Sequence, residues 1–166
     1  MKKLHESNCN DLWRRVVETE GVFHAARAKF FSACRPGLVG LMRLALSVPY
    51  ERVSALGIIK LLTIEERQLL LPELLSLASF NHGLTAAARD VVLALPHQWL
   101  IDHIEEASEP LLQFNNYEEY QGLFKIYIEL DVRLANKLAK RASKHPNADI
   151  QDAAQHFFEA LRLKGP

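Results

Sequence analysis

Asp149-Ile150-Gln151-Asp152-Ala153-Ala154-Gln155-His156-Phe157-Phe158-Glu159-Ala160-Leu161 places its apolar residues at Ile150, Ala153, Ala154, Phe157, Phe158 and Leu161. That i, i+3, i+4, i+7, i+8, i+11 spacing is one buried face of an α-helix. The same stripe stands 66 residues earlier as Leu84, Ala87, Ala88, Val91, Val92 and Leu95. Half that offset, 33, lands on Tyr117, Tyr120, Gln121, Phe124, Lys125 and Ile128, apolar or aromatic at four of six. One further step back reaches Glu51, Ser54, Ala55, Ile58, Ile59 and Leu62. A helical face that returns at a fixed interval marks stacked helix pairs, none of which can bury its own apolar side alone.

Working outward, turn residues punctuate the chain at intervals suited to helices, and no segment alternates with the period of a strand. Leu38–Val48 reads as a helix with Leu41, Met42, Leu44 and Ala45 inward, and Pro49 fits the first turn of its partner. Thr63-Ile64-Glu65-Glu66 is a capping box, and Pro72 kinks or divides the segment from Ile64 to Phe80. Asn81-His82-Gly83, Asn115-Asn116 and His145-Pro146-Asn147 are turns, Asp131 is an N-cap, and Glu109-Pro110 kinks or extends the helix that starts at His97. Before Arg35-Pro36-Gly37, a frayed polar start precedes a short helix from Asp11 to near Gly21 and a second from Val22 to Cys34. The expected fold is all-α: an α-α superhelix of about four to five antiparallel helix pairs with a period of about 33 residues. It forms a single domain over 1–166, with 1–36 as atypical N-terminal cap helices and 37–164 as repeats.

His145-Pro146-Asn147-Ala148-Asp149-Ile150-Gln151-Asp152-Ala153-Ala154 resembles the HEAT or armadillo-type repeat, with its Pro/Asp turn, β-branched residue and Ala pair. Gln151 stands where that family usually has Arg. Leu95-Pro96-His97-Gln98-Trp99-Leu100, Glu109-Pro110-Leu111-Leu112 and Tyr117 through Leu161 are similar to the C-terminal helical repeats of bacterial, especially cyanobacterial, NACHT-type NTPases. That resemblance implies repeats that sense or bind a partner while a separate domain hydrolyses nucleotide.

The 20 basic and 20 acidic side chains cancel overall, so no global field draws the chain to nucleic acid or membrane. They are laid out in blocks, net +5 over 1–60, −9 over 61–131 and +4 over 132–166. Cys9 and Cys34 read as isolated reduced thiols. No apolar run reaches the ~18–20 residues that span a bilayer, and Met1-Lys2-Lys3 lacks the apolar stretch of a secretory signal. Cytoplasmic residence is the expectation.

No phosphate loop, dinucleotide fingerprint, His-Glu-x-x-His, Cys-x-x-Cys or nucleophile elbow occurs, so no catalytic residue, metal site, cofactor or small-molecule substrate is expected. Asp102, Glu105, Glu106 and Glu109 read as a solvated acidic face. Arg133, Lys137, Lys140 and Lys144, with Arg141 beside them, share a basic face that suits phosphates, an anionic partner or plain solvent. Exposed positions of the repeated helices, among them Arg52, Arg89, Glu118, Glu119 and His156, are candidates for an inner binding surface. The expected function is a non-catalytic, protein-binding module, an adaptor or the sensor part of a larger signalling or defence system. The alternative is a HEAT-like nucleic-acid-binding protein working through basic helix faces.

Overall fold

In the computed structural model the described backbone covers residues 2–114 and 116–164, with side chains described for 8–114 and 116–163. The chain divides into two compact units, Met1–Leu38 and Val39–Pro166. Among the described residues every regular element is helical.

The first unit is a single helix, α1 (Lys2–Cys34), followed by a 3-10 turn at Arg35–Gly37. The expectation of a frayed start and two helices separated at Gly21 is therefore corrected. A glycine inside a helix costs about 1 kcal/mol relative to alanine, which a long helix absorbs, and Gly21 has no neighbour pressing on it. The break comes at Arg35-Pro36-Gly37, where Pro36 occupies the opening of the 3-10 turn. Leu12, Trp13, Val16, Val17, Val22 and Phe23 of α1 are exposed.

The second unit holds the helices α2 (Leu38–Ser47), α3 (Arg52–Ile59), α4 (Ile64–Gln68), α5 (Leu71–Ser79) and α6 (Thr85–Leu93). They are followed by α7 (His97–Gln113), α8 (Tyr117–Leu130), α9 (Val132–Ala142) and α10 (Ala148–Lys164). The stops obey local chemistry. Thr63 Oγ1 accepts from the Glu66 N–H at 3.2 Å while Glu66 Oε2 accepts from the Thr63 N–H at 2.9 Å, closing the capping box that begins α4. Pro72 sits in the first turn of α5, so the segment is divided rather than kinked. Asp131 caps α9, accepting from the Arg133 N–H at 2.6 Å, and Asn116 caps α8 in the same way. Asn115 lies outside the described residues. Pro49 falls in the turn ahead of α3 rather than within its first turn. Pro110 is accommodated inside α7, which runs on to Gln113.

The stripes lie on α3, α6, α8 and α10, which start at Arg52, Thr85, Tyr117 and Ala148, intervals of 33, 32 and 31 residues. Helices α5 and α6, α7 and α8, and α9 and α10 pack pairwise, and α3, α6, α8 and α10 touch in that order. Ile58, Val91, Phe124 and Phe157, equivalent positions of the four stripes, are all buried. Leu41 and Leu44, expected inward, are exposed, while Met42 and Ala45 are buried with Leu38 and Leu46 on the inner side of α2.

The Ala pairs do what small residues allow, with Ala88, Ala153 and Ala154 buried at helix contacts. Helix α8 solves the same problem differently. A Cβ added to Gly122 would overlap the backbone of Ser79 at the end of α5, so glycine is what lets these two helices approach.

Candidate functional site

The acidic and basic faces read separately from the sequence are brought together. Lys137 Nζ on α9 donates to Glu105 Oε2 on α7 at 2.7 Å, and one turn on, Arg141 holds Glu109 with two hydrogen bonds of 2.5 and 2.9 Å. Four residues separate the rungs on each helix, so α7 and α9 run side by side in register. Arg141 keeps the Glu109 carboxyl below the ordinary carboxylate range, and Glu109 in turn raises the Arg141 guanidinium. Behind the ladder, buried Ser108 and Tyr127 hydroxyls meet at 2.5 Å, and burial pushes the Tyr127 phenol up to about 12. Arg133 is bound locally instead, folding back onto the N-cap Asp131, whose carboxyl it draws down to about 2. Lys140 is exposed on the same helix, whereas Lys144, expected on that face, lies exposed in the turn beyond the end of α9.

A different surface opens where the stripes run out. The last two positions of the stripe are buried both at α3, by Ile59 and by Leu62 just past its end, and at α6, by Val92 and by Leu95 just past its end. On α8 the corresponding Lys125 is exposed and Ile128 half-buried, and on α10 Phe158 and Leu161 are half-buried. Between α8 and α10 lies a groove of about 470 Å³, lined by Phe124, Ile128, Phe157, Ala160 and Leu163, with Gln121, Lys125 and His156 around it. Its floor is rigid: the rings of Phe124 and Phe157 stack in parallel with centroids 4.0 Å apart. Leu163 is 89% exposed. Residues 165 and 166, the end of the tail that could have covered this end of α10, lie outside the described residues.

The other inner-surface candidates separate. Arg52 and Glu119 line one further cavity together with Arg43, Glu73 and His82. Glu118 is exposed in the first turn of α8, and Arg89 is half-buried on α6. His156 stands 3.7 Å from Glu159 on its own helix. Gln151, at the position where a HEAT repeat usually has Arg, donates from Nε2 to the His145 carbonyl at 2.6 Å and so fastens the turn before its own helix.

Two histidines do structural work that sequence reading missed. His82 Nδ1 accepts from the Leu84 N–H at 3.0 Å, and His145 Nδ1 accepts from the Asn147 N–H at 3.1 Å. Each imidazole closes the turn that leads into a stripe helix, as an Asn or Asp side chain would. The signal was present, a histidine at both turns, but imidazole is not among the usual turn residues.

Among the described residues no helix is long and apolar enough to cross a membrane, and no group of three or more His, Cys, Asp or Glu is placed to hold a metal ion. Comparison with family models, with curated proteins and with solved structures finds no match.

Proposed function

We propose that this chain is a non-catalytic helical-repeat module of the HEAT type that binds a protein partner through the α8–α10 groove. The observation that carries the reading is the groove itself. A rigid aromatic floor with aliphatic walls, open at Leu163, is the form of surface that takes the apolar face of an amphipathic helix. Its rim carries Lys125 and His156, which favours a segment with acidic residues flanking its apolar ones. The serial contact of α3, α6, α8 and α10 supports a superhelical stack, in which a docking surface on the stripe helices is the common arrangement. An adaptor or sensor role in a larger bacterial system, cytoplasmic in location, follows from the same reading.

The nucleic-acid alternative is less well supported. Two of the four cations on α9 are engaged by α7 carboxylates and a third by Asp131, which lowers the charge that α9 could offer phosphates.

The test is partner capture by the full chain, compared with Ile128→Glu and Leu163→Glu. Both positions are on the groove, and Leu163 is too exposed for its replacement to disturb the core. The expected result is a specific protein retained by the native chain and by a Lys60→Glu control but lost by both groove variants. A partner held equally by all four proteins, or salt-sensitive retention of nucleic acid alone, would overturn the reading.

A further inference from the structure

The cavity shared by Arg52 and Glu119 has a chemistry of its own. It measures about 360 Å³, within the roughly 300–1,000 Å³ of small-molecule sites. Four elements and one turn converge on it: Arg43 from α2, Arg52 from α3, Glu73 from α5, His82 from the α5–α6 turn and Glu119 from α8. Arg43 is held by two bonds, its Nε on Glu73 Oε1 at 2.5 Å and a terminal nitrogen on the Leu69 carbonyl at 2.7 Å. Arg52 donates from Nε to the Leu46 carbonyl at 2.9 Å, which fixes the plane of its guanidinium. Because His82 Nδ1 accepts from the Leu84 N–H, the neutral ring carries its proton on Nε2.

Three buried polar atoms there have no hydrogen-bond partner: Glu73 Oε2, Glu119 Oε2 and His82 Nε2. Buried polar groups are nearly always satisfied, so an orphan calls for an explanation. These orphans are of two kinds, two carboxylate acceptors and one N–H donor. Apolar walls from Leu46, Leu77 and Phe80 complete the cavity. A complementary ligand therefore carries a cationic donor and an anionic acceptor on one small body.

We propose that this cavity binds a free zwitterion of the α-amino-acid type, its ammonium held by Glu73 and Glu119, its carboxylate by His82 Nε2–H and the outer nitrogens of Arg52, and its side chain by Leu77 and Phe80. Burial raises the Glu119 carboxyl, and an ammonium partner reverses that tendency. The site is distinct from the α8–α10 groove and does not depend on it.

Calorimetric titration of the full chain tests it with five probes: glycine, alanine, leucine, acetate and ethylamine. The zwitterions are expected to bind in the millimolar range or tighter, with acetate and ethylamine each at least about tenfold weaker. Glu119→Gln keeps the shape and removes the charge, and it is expected to lose alanine binding by about tenfold or more while remaining folded by circular dichroism. Lys140→Ala, far from the cavity in sequence and on a different helix, is expected to bind as the native chain does. No heat from any amino acid at about 10 mM overturns the proposal. So does acetate binding as well as alanine, or a Glu119→Gln variant that binds unchanged.

Discussion

Replacing Gly122 by alanine sets two physical terms directly against each other. In a helix interior alanine is favoured over glycine by about 1 kcal/mol, so propensity alone makes Gly122→Ala stabilising. The added Cβ, however, would overlap three backbone atoms of Ser79, its carbonyl oxygen, Cα and carbonyl carbon. A side chain could rotate aside, but backbone at the end of α5 cannot, so α8 must shift away from α5. Overpacking of this kind costs about 1–3 kcal/mol, and with main-chain atoms as the obstacle the upper end applies. The net expectation is a loss of about 2 kcal/mol. Gly57→Ala is the matched control, since Gly57 lies inside α3 with nothing within 4 Å of an added Cβ. It should gain about 0.5–1 kcal/mol. The assay is urea unfolding followed by Trp99 fluorescence in a Trp13→Phe background, so that the signal comes from the second unit. The slope of free energy against urea should be unchanged in both variants. If Gly122→Ala proves as stable as its parent, or tracks Gly57→Ala upward, the close approach of α5 and α8 is wrong.

The remaining expectations concern packing and charge. Phe157→Ala removes a buried ring stacked on Phe124 and should cost about 3–5 kcal/mol in the same urea assay. A double-mutant cycle on Lys137 and Glu105, both partly exposed, should give a coupling of about 0.2–1 kcal/mol, and the two-bonded Arg141–Glu109 pair a value at the top of that range or above it. Because Glu109 is held below its ordinary 4.5, the folded state binds fewer protons there than the unfolded one. Its contribution is complete above about 4.5 and is lost as pH falls through the lower folded value, so Glu109→Gln should flatten acid unfolding in that window. Glu119 has the opposite sign. Its carboxyl is raised by burial, so Glu119→Gln should be more stable than the native chain at neutral pH. That advantage should vanish below about 4.5, where the carboxyl is protonated in both states; an advantage that persists into acid would mean that charge is not its cause.

The helices were legible because their signals are local. Thr63-Ile64-Glu65-Glu66, Asp131 and Pro72 each fix a helix start through atoms within a few residues, and all three do so in the structure. The period was legible for the same reason, since Ile58, Val91, Phe124 and Phe157 repeat one position of one face. Gly21 misled because glycine both ends helices and sits inside them, and only neighbouring context decides which. The groove was half visible: Ala160 and Leu163 of its wall are apolar in the sequence, but Lys125 and Ile128, whose repeat positions uncover the other wall, are read as a weak stripe until α8 is placed beside α10. The polar cavity was not visible at all. Arg43, Glu73, His82 and Glu119 are separated by 30, 9 and 37 residues, and no sequence spacing brings them together.

Opposite signs on neighbouring repeats suggest a polarised surface, yet the structure joins the acidic face of α7 to the basic face of α9 rung by rung. The arrangement carries register information. With α9 where it is, Lys137 meets Glu105 and Arg141 meets Glu109. Sliding α9 one turn towards the start of α7 would set Lys137 against Ile101 and Arg141 against Glu105. Sliding it the other way would set Lys137 against Glu109 and Arg141 against Gln113. The first slip keeps one rung of two; the second would also set Arg133 against Glu105, and so keeps two rungs only by taking Arg133 from Asp131, so either slip loses one ion pair. At about 0.2–1 kcal/mol per exposed pair, the lost pair is a small penalty beside the burial of Ala135, Leu138, Ala139 and Ala142 on the inner side of α9. Apolar packing therefore decides that α9 is buried. Alanine-rich faces, though, fit several offsets nearly equally well, so a modest ionic preference is enough to choose among them.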